Sequence, residues 1–376
     1  MFKPSNIKIY CAKYVILTGI ILVGFVNPVQ SQFRKGQKVI SFRYQTGTIL
    51  QHRKTVAHLI TDNPVGFLIS FDGKTHGLNA WEALYNYPDI GLAFVYVDFR
   101  NQILGKTIAL IPHYNIYIRK NKKARYQVSY KVGLGISYST NTYDREFNNK
   151  NNVISTKINY GILFEIQHSY AITDNFLFAN SINMTHFSNG AIKLPNLGIN
   201  VLNLNVGFSY LLGTKPDVPN NQLPTASLKK KPGFIFSLAG GIHEPTVESA
   251  GKHPFFVLTG MIDRHLNEKS VLGAGFEWFY SVALKKYRDI DFRLDPDDIP
   301  DFNRIGLVLS HELMINEYSV ITQAGYYVYD PYKYFSPIYL RAGLRRYFGK
   351  NMFGTIAVKA HGPTAESAEI FIGYKL

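Results

Sequence analysis

The segment NFLFANSINMTHFSNGAIKLPNLGINVLNLNVGFSYLL, residues 175–212, reads as two β-strands joined by a turn. Side chains alternate across a strand, so residues i and i+2 share a face. In the first strand Phe176, Phe178, Asn180, Ile182, Met184, His186 and Ser188 form one face, mostly apolar. Leu177, Ala179, Ser181, Asn183, Thr185 and Phe187 form the other, which is smaller and more polar. After a turn through 189–199, the even positions Asn200, Leu202, Leu204, Val206, Phe208, Tyr210 and Leu212 are again the apolar set, with Asn203, Asn205, Gly207 and Ser209 opposite. His186, Ser188 and Asn200 therefore stand together on a face made otherwise of apolar side chains.

The same rhythm recurs along the chain. Tyr126, Val128, Tyr130, Val132, Leu134, Ile136 and Tyr138 alternate with Gln127, Ser129, Lys131, Gly133, Gly135 and Ser137. Residues 158–170 repeat the pattern, as do Leu272, Ala274, Phe276, Trp278, Tyr280, Val282 and Leu284 against Gly273, Gly275, Glu277 and Ser281. In a soluble sandwich the outer face would be charged. Here large apolar residues oppose Gly, Ser and Asn, which predicts an all-β protein, an outer-membrane antiparallel up-and-down β-barrel with a narrow polar lumen. Strands are expected to begin near residues 38, 65, 90, 106, 125, 156, 175, 199, 233, 253, 269, 303, 318, 338, 351 and 366, giving about 16 strands, within a range of 12–16. The first two carry the weakest pattern and have a place outside the wall as an alternative. A Pro-, Asn- and Lys-rich connection at 214–232 separates a barrel portion at 32–213 from another at 233–376. It serves either as a long turn within one barrel or as a linker between two smaller ones.

Lys3, Lys8 and Lys13, then the apolar run 15–26 and Val29-Gln30-Ser31, predict a signal peptide over residues 1–31, cleaved on export. Cys11 is the only cysteine and precedes the apolar run, so neither lipidation nor disulfides are expected. With 26 Tyr, 26 Phe and 30 Gly the mean hydropathy is still only −0.07. One greasy face per strand gives that near-neutral average, whereas helical membrane spans do not. The net charge of +15 is spread along the chain rather than gathered into a nucleic-acid stripe. No zinc spacing or phosphate loop is present, and no cofactor is expected.

The motif Thr185-His186-Phe187-Ser188-Asn189-Gly190, with Pro195-Asn196-Leu197-Gly198-Ile199-Asn200, resembles the outer-membrane lipid A 3-O-deacylase (PagL-like) family and its acyloxyacyl hydrolase-like relatives. The block Trp81 to Pro88, followed by Gly91, is similar to the family's amino-terminal portion. The resemblance implies an outer-membrane serine esterase of a Gram-negative bacterium that removes an ester-linked acyl chain from lipid A, with lipopolysaccharide as partner. Carried over by position, Ser188 is the nucleophile and His186 the base, while the orienting Glu falls on Asn200. An Asn carbonyl fixes the imidazole tautomer but gives the imidazolium no negative charge. The family's oxyanion Gly comes three residues after the Ser. Here Ala191 holds that place, and Asn189 and Gly190 are the nearest candidate donors.

Other polar residues read differently. Glu165 alternates onto the lumen face with Lys157 and Gln167, and His168 onto the lipid face far from His186. Glu277 and Glu312 suit a lumen network, and His311 points away from its neighbour Glu312. Glu366, Glu369 and His361 suggest a cluster at the outer rim. The run Asp289, Asp291, Asp295, Asp297 and Asp298 fits a solvated loop or a calcium loop. Two rival functions remain: a transport or structural barrel without catalysis, and a hydrolase of phospholipid or another acylated glycolipid. Large inward residues blocking the lumen favour an enzyme, and charges around open water favour a channel.

Overall fold

The structure, a computed structural model, describes residues 36–118, 125–214, 231–244 and 251–376. The expected signal peptide and nearly all of the connection at 214–232 lie outside the described residues. All sixteen expected strands form, each beginning within two residues of its predicted start. They close as two antiparallel barrels of eight, in strict up-and-down order.

The first barrel comprises β1 (Lys38–Ile49), β2 (Val65–Lys74), β3 (Asp89–Asp98), β4 (Lys106–Tyr117), β5 (Tyr126–Ser139), β6 (Ile158–Ala171), β7 (Phe176–Ser188) and β8 (Ile199–Leu212). The two earliest strands belong to the wall, and β1 closes it by pairing with β8 from Lys38↔Leu212 to Ile49↔Val201. Closure leaves no edge strand with unpaired backbone groups, which is what allows a sheet to stand in hydrocarbon. The apolar faces point outward: Ile182, Leu204, Phe42 and Ile166 are all more than half exposed. The short helix α1 (Ala80–Leu84) carries Trp81, edge-on to Tyr114.

Inside, the lumen is divided lengthwise. At the end where β7 finishes and β8 begins, Ile49, Leu68, Val95, Val97, Ile111, Leu163, Phe187, Ile199 and Val201 pack into one apolar cluster. Loops fold in to complete it, with Val56 and Leu59 from a 3₁₀ turn at Lys54–Leu59 and Phe99, Leu104, Val153 and Ile154 from neighbouring loops. The other half is polar. Lys131 pairs with Glu165 (3.5 Å), His113 with Asp72 (2.5 Å), and Arg43 donates to Gln167 (3.3 Å) and Ser209 (2.8 Å). A vestibule of about 650 Å³, lined by Asp72, Lys74, Asp89, Arg125 and Lys131, lies at this end.

The second barrel comprises β9 (Gly233–His243), β10 (His253–His265), β11 (Ser270–Ser281), β12 (Arg304–Ile315), β13 (Tyr318–Tyr329), β14 (Ile338–Phe348), β15 (Met352–His361) and β16 (Thr364–Lys375). The alternation expected to run through Leu284 stops at Ser281. That residue accepts a hydrogen bond from the Leu284 backbone N–H (3.3 Å) and begins helix α2 (Val282–Ile290). A serine at this N-cap position satisfies an otherwise orphaned donor, which is why the strand turns into a helix here. The lumen is filled by ion pairs and rings. Arg341 binds Glu277 (2.7 Å) and Glu369 (2.5 Å), and Arg345 binds Glu312 (2.9 Å).

Candidate functional site

His186 and Ser188 end β7 on its outward face, in line with Ile182 and Met184. Asn200 starts β8 on the same face, ahead of Leu202 and Leu204. The register sets His186 directly opposite Asn200, and the side chains meet, with His186 Nδ1 donating to Asn200 Oδ1 at 2.7 Å. An amide oxygen only accepts, so the proton is on Nδ1 and the lone pair on Nε2. Ser188 stands two residues beyond His186, about 6.6 Å along the strand. Burial on the inward side by Thr185, Phe187, Ile199 and Val201 holds both strand ends in place.

The loop between the strands is shaped around the imidazole. Gly198 has φ +71°, and a Cβ there would come within 2.7 Å of His186 Cε1. Its backbone N–H donates to Val153 O (3.1 Å), and the Leu197 N–H to Asn152 O (3.2 Å), so this turn is anchored at its base. At the other side of the motif Gly190 (φ 64°) and Ala191 (φ 66°) are both left-handed. Ala191 thus keeps a backbone conformation that glycine adopts freely, at a cost of roughly 1–2 kcal/mol. The Asn189 side chain turns inward and donates to Ser155 Oγ (3.0 Å).

A fourth polar residue is present that the sequence pattern did not mark. His52, from the loop after β1, lies with Nδ1 3.3 Å from Asn200 Nδ2 and Nε2 3.0 Å from Leu197 O. The Leu50 N–H donates to Asn200 O (2.9 Å), extending the β1–β8 ladder to the very residue that bonds His186. Sequence alone held no signal for His52, since alternation does not extend into a loop.

The remaining expected sites resolve individually. Glu165 is fully buried in the first lumen, accepting from Ser181 (2.5 Å). His168 stacks on Tyr126 at the opposite end of its barrel from His186 (centroids 5.7 Å apart). His311 faces outward and meets Ser270 (2.5 Å), while Glu312 faces the lumen with Tyr347 (2.7 Å). Of the expected rim cluster, Glu366 pairs with His361 (2.7 Å) beside the β15–β16 turn and, facing the lumen, with Arg304 (2.7 Å) and Lys359 (2.9 Å), while Glu369 lies further along β16 with Arg341. A bulge explains why Glu366 faces the lumen, because Lys359 pairs with Ser367 and Ala360 with Ala365, leaving Glu366 as an extra residue that resets the alternation. In the acidic loop Asp289 pairs with Arg288 (2.7 Å) and Asp291 with Arg293 (2.6 Å).

Comparison with known proteins gives the family of the chain. Residues 65–209 match the family described as lipid A 3-O-deacylase (PagL), a range that holds His186, Ser188 and Asn200. Residues 233–376 match the acyloxyacyl hydrolase C-terminal domain and span the whole second barrel. No curated protein matches the chain. Among solved structures the chain is similar to the Pseudomonas aeruginosa outer membrane protein OprG (14% identity, TM-score 0.28, covering 48% of this chain and 97% of that one). It is also similar to the Acinetobacter baumannii outer membrane protein Omp33 (6% identity, TM-score 0.16, covering 91% and 97%) and to P. aeruginosa OccK5 (10% identity, TM-score 0.21, covering 91% and 97%). With one family match over most of the first barrel and its companion over the second, this outer-membrane β-barrel protein belongs to the lipid A 3-O-deacylase (PagL) and acyloxyacyl hydrolase family.

Proposed function

We propose that the protein is a serine esterase that removes an ester-linked acyl chain from lipid A in the outer leaflet, with Ser188 as nucleophile, His186 as base and Asn200 as the group that orients His186. The observation that carries this reading is the His186 to Asn200 hydrogen bond of 2.7 Å on a face otherwise made for hydrocarbon. Polar groups are costly against lipid, and their presence there is itself a mark of function. The apolar plug of the first lumen supports an enzyme over a channel, because a pore needs a continuous wet path.

In this mechanism Ser188 Oγ attacks the ester carbonyl carbon as its proton passes to His186 Nε2. The tetrahedral oxyanion accepts hydrogen bonds from backbone N–H groups at Asn189 and Gly190. Collapse breaks the carbon–oxygen bond to the sugar, and His186 returns the proton to the departing glycolipid oxygen. Water then attacks the acyl-serine, losing its proton to His186, and releases the fatty acid with Ser188 regenerated. In a serine triad, exchanging the acid for an amide costs about 10⁴-fold in rate, mainly through the wrong tautomer. Here Oδ1 already faces Nδ1, so the tautomer is right and only the charge is missing.

The test is mass spectrometry of lipid A from outer membranes carrying the protein or its Ser188→Ala variant at equal levels. Loss of one acyl chain with the Ser188 protein alone is the expected result. Identical lipid A in both would overturn lipid A as substrate, and the same pair assayed on phospholipid vesicles would then test the neighbouring substrate class.

A further inference from the structure

Asn200 lies on β8 between its two neighbours in the wall, β7 carrying His186 and β1 leading into the loop that carries His52. Its Oδ1 faces His186 Nδ1 at 2.7 Å, and its Nδ2 faces His52 Nδ1 at 3.3 Å. His52 Nε2 lies 3.0 Å from Leu197 O, in the turn that leads into Asn200. A carbonyl only accepts, so His52 Nε2 carries a proton. With Nε2–H given to Leu197 O, the lone pair of the ring is on Nδ1, where it accepts from Asn200 Nδ2–H. With that assignment the 3.3 Å approach of Leu50 O to Nδ1 is a contact without a hydrogen.

This matters because an amide has a wrong way round. A carboxylate presents two equivalent oxygens and holds a histidine in either orientation. If Asn200 turned over, Nδ2–H would face His186 Nδ1, the His186 proton would move to Nε2, and no base would remain for Ser188. We propose that His52, protonated on Nε2, is a positioning residue that sets the orientation of Asn200 and through it the tautomer of His186. The inference rests on Ser188 and His186 being nucleophile and base. It assigns to the loop after β1 the part that a carboxylate's symmetry fulfils without help.

The experiment uses the full chain in detergent micelles with ¹⁵N-labelled histidine, the His186 signals being assigned with a His186→Gln variant. Tautomer at His186, and kcat and KM for lipid A deacylation, are read in wild type, His52→Ala, Asn200→Glu and the double variant. Losing His52 frees the amide to turn and removes one hydrogen bond from it, so kcat falls about five- to tenfold. KM stays unchanged, and His186 moves from Nδ1–H to a mixture of tautomers. In the Asn200→Glu background the same substitution changes kcat less than twofold, which also shows that loss of His52 leaves the barrel folded. An unchanged His186 tautomer in His52→Ala, or equal losses of kcat in both backgrounds, would overturn the proposal. A wild type that releases no acyl chain from lipid A or phospholipid overturns the esterase reading, while the tautomer shift still shows whether His52 orients Asn200.

Discussion

Replacing Gly198 with alanine puts a methyl group against Cε1 of the His186 ring. The new Cβ would lie 2.7 Å from Cε1 and 3.4 Å from Nε2, whereas carbon atoms settle near 3.6 Å, so the ring must retreat by about 0.9 Å. The imidazole is the free end of its side chain, and moving it costs the fold little. The backbone cost is that of alanine at φ +71°, roughly 1–2 kcal/mol. The chemical cost is far larger, because displacing a reacting group by about 1 Å lowers a rate on the order of 10²-fold. Gly161 in β6 supplies the control: a Cβ there meets its nearest neighbours at 3.5–3.6 Å, an ordinary contact. Deacylation of purified lipid A in micelles, with unfolding followed in denaturant, should therefore show Gly161→Ala close to wild type in both respects. Gly198→Ala should be slightly less stable and about a hundredfold slower. A Gly198→Ala enzyme within twofold of wild type would refute the placing of His186 against this turn as the catalytic base.

Three further outcomes follow from the same geometry. Asn200→Glu replaces a neutral acceptor by a charged one, worth about 1–1.5 kcal/mol more to the imidazolium, and should raise kcat about tenfold in the same assay; a slower enzyme would count against Asn200 as the orienting group. Ala191→Gly relieves a left-handed alanine (φ 66°) and should stabilise the protein by about 1 kcal/mol, read as a shift of the denaturation midpoint. Arg341→Ala strands Glu277 and Glu369 without their shared partner and should cost about 3–5 kcal/mol. Trp278 of β11 reports that loss by fluorescence once Trp81→Phe has removed the tryptophan of α1, and an unmoved midpoint would mean that the carboxylates find other partners.

The wall was legible because lipid outside and side chains inside impose a period of two on every strand, and the outward-facing residues of β5, β7 and β8 obey it. Closure was not, since alternation says which face a residue takes and nothing about which distant strand it will pair with; hence sixteen strands were foreseen but the β1 to β8 closure was not. Glu366 turns into the lumen for a local reason that alternation does not foresee, a single bulge residue. Of the candidate site, His186, Ser188 and Asn200 were readable from parity and from a hairpin that sets i against j. His52 was not, because 148 residues separate it from Asn200 and only closure of the barrel brings the two together. Ser281 shows the converse limit: the alternating letters continue past it, and a capping hydrogen bond decides that the backbone does not.

The stopper of Leu68, Val95, Ile111, Leu163 and Phe187 should make the lumen of the first barrel impassable to ions. An ion travelling up from the polar vestibule would have to shed its water against hydrocarbon, at a cost of tens of kcal/mol in a dry medium. A planar bilayer loaded with this barrel should therefore stay silent under voltage. For a cell, copies of this first barrel should then add no leak through its lumen, leaving their number in the envelope limited by space and synthesis rather than by loss of resistance to small toxic solutes.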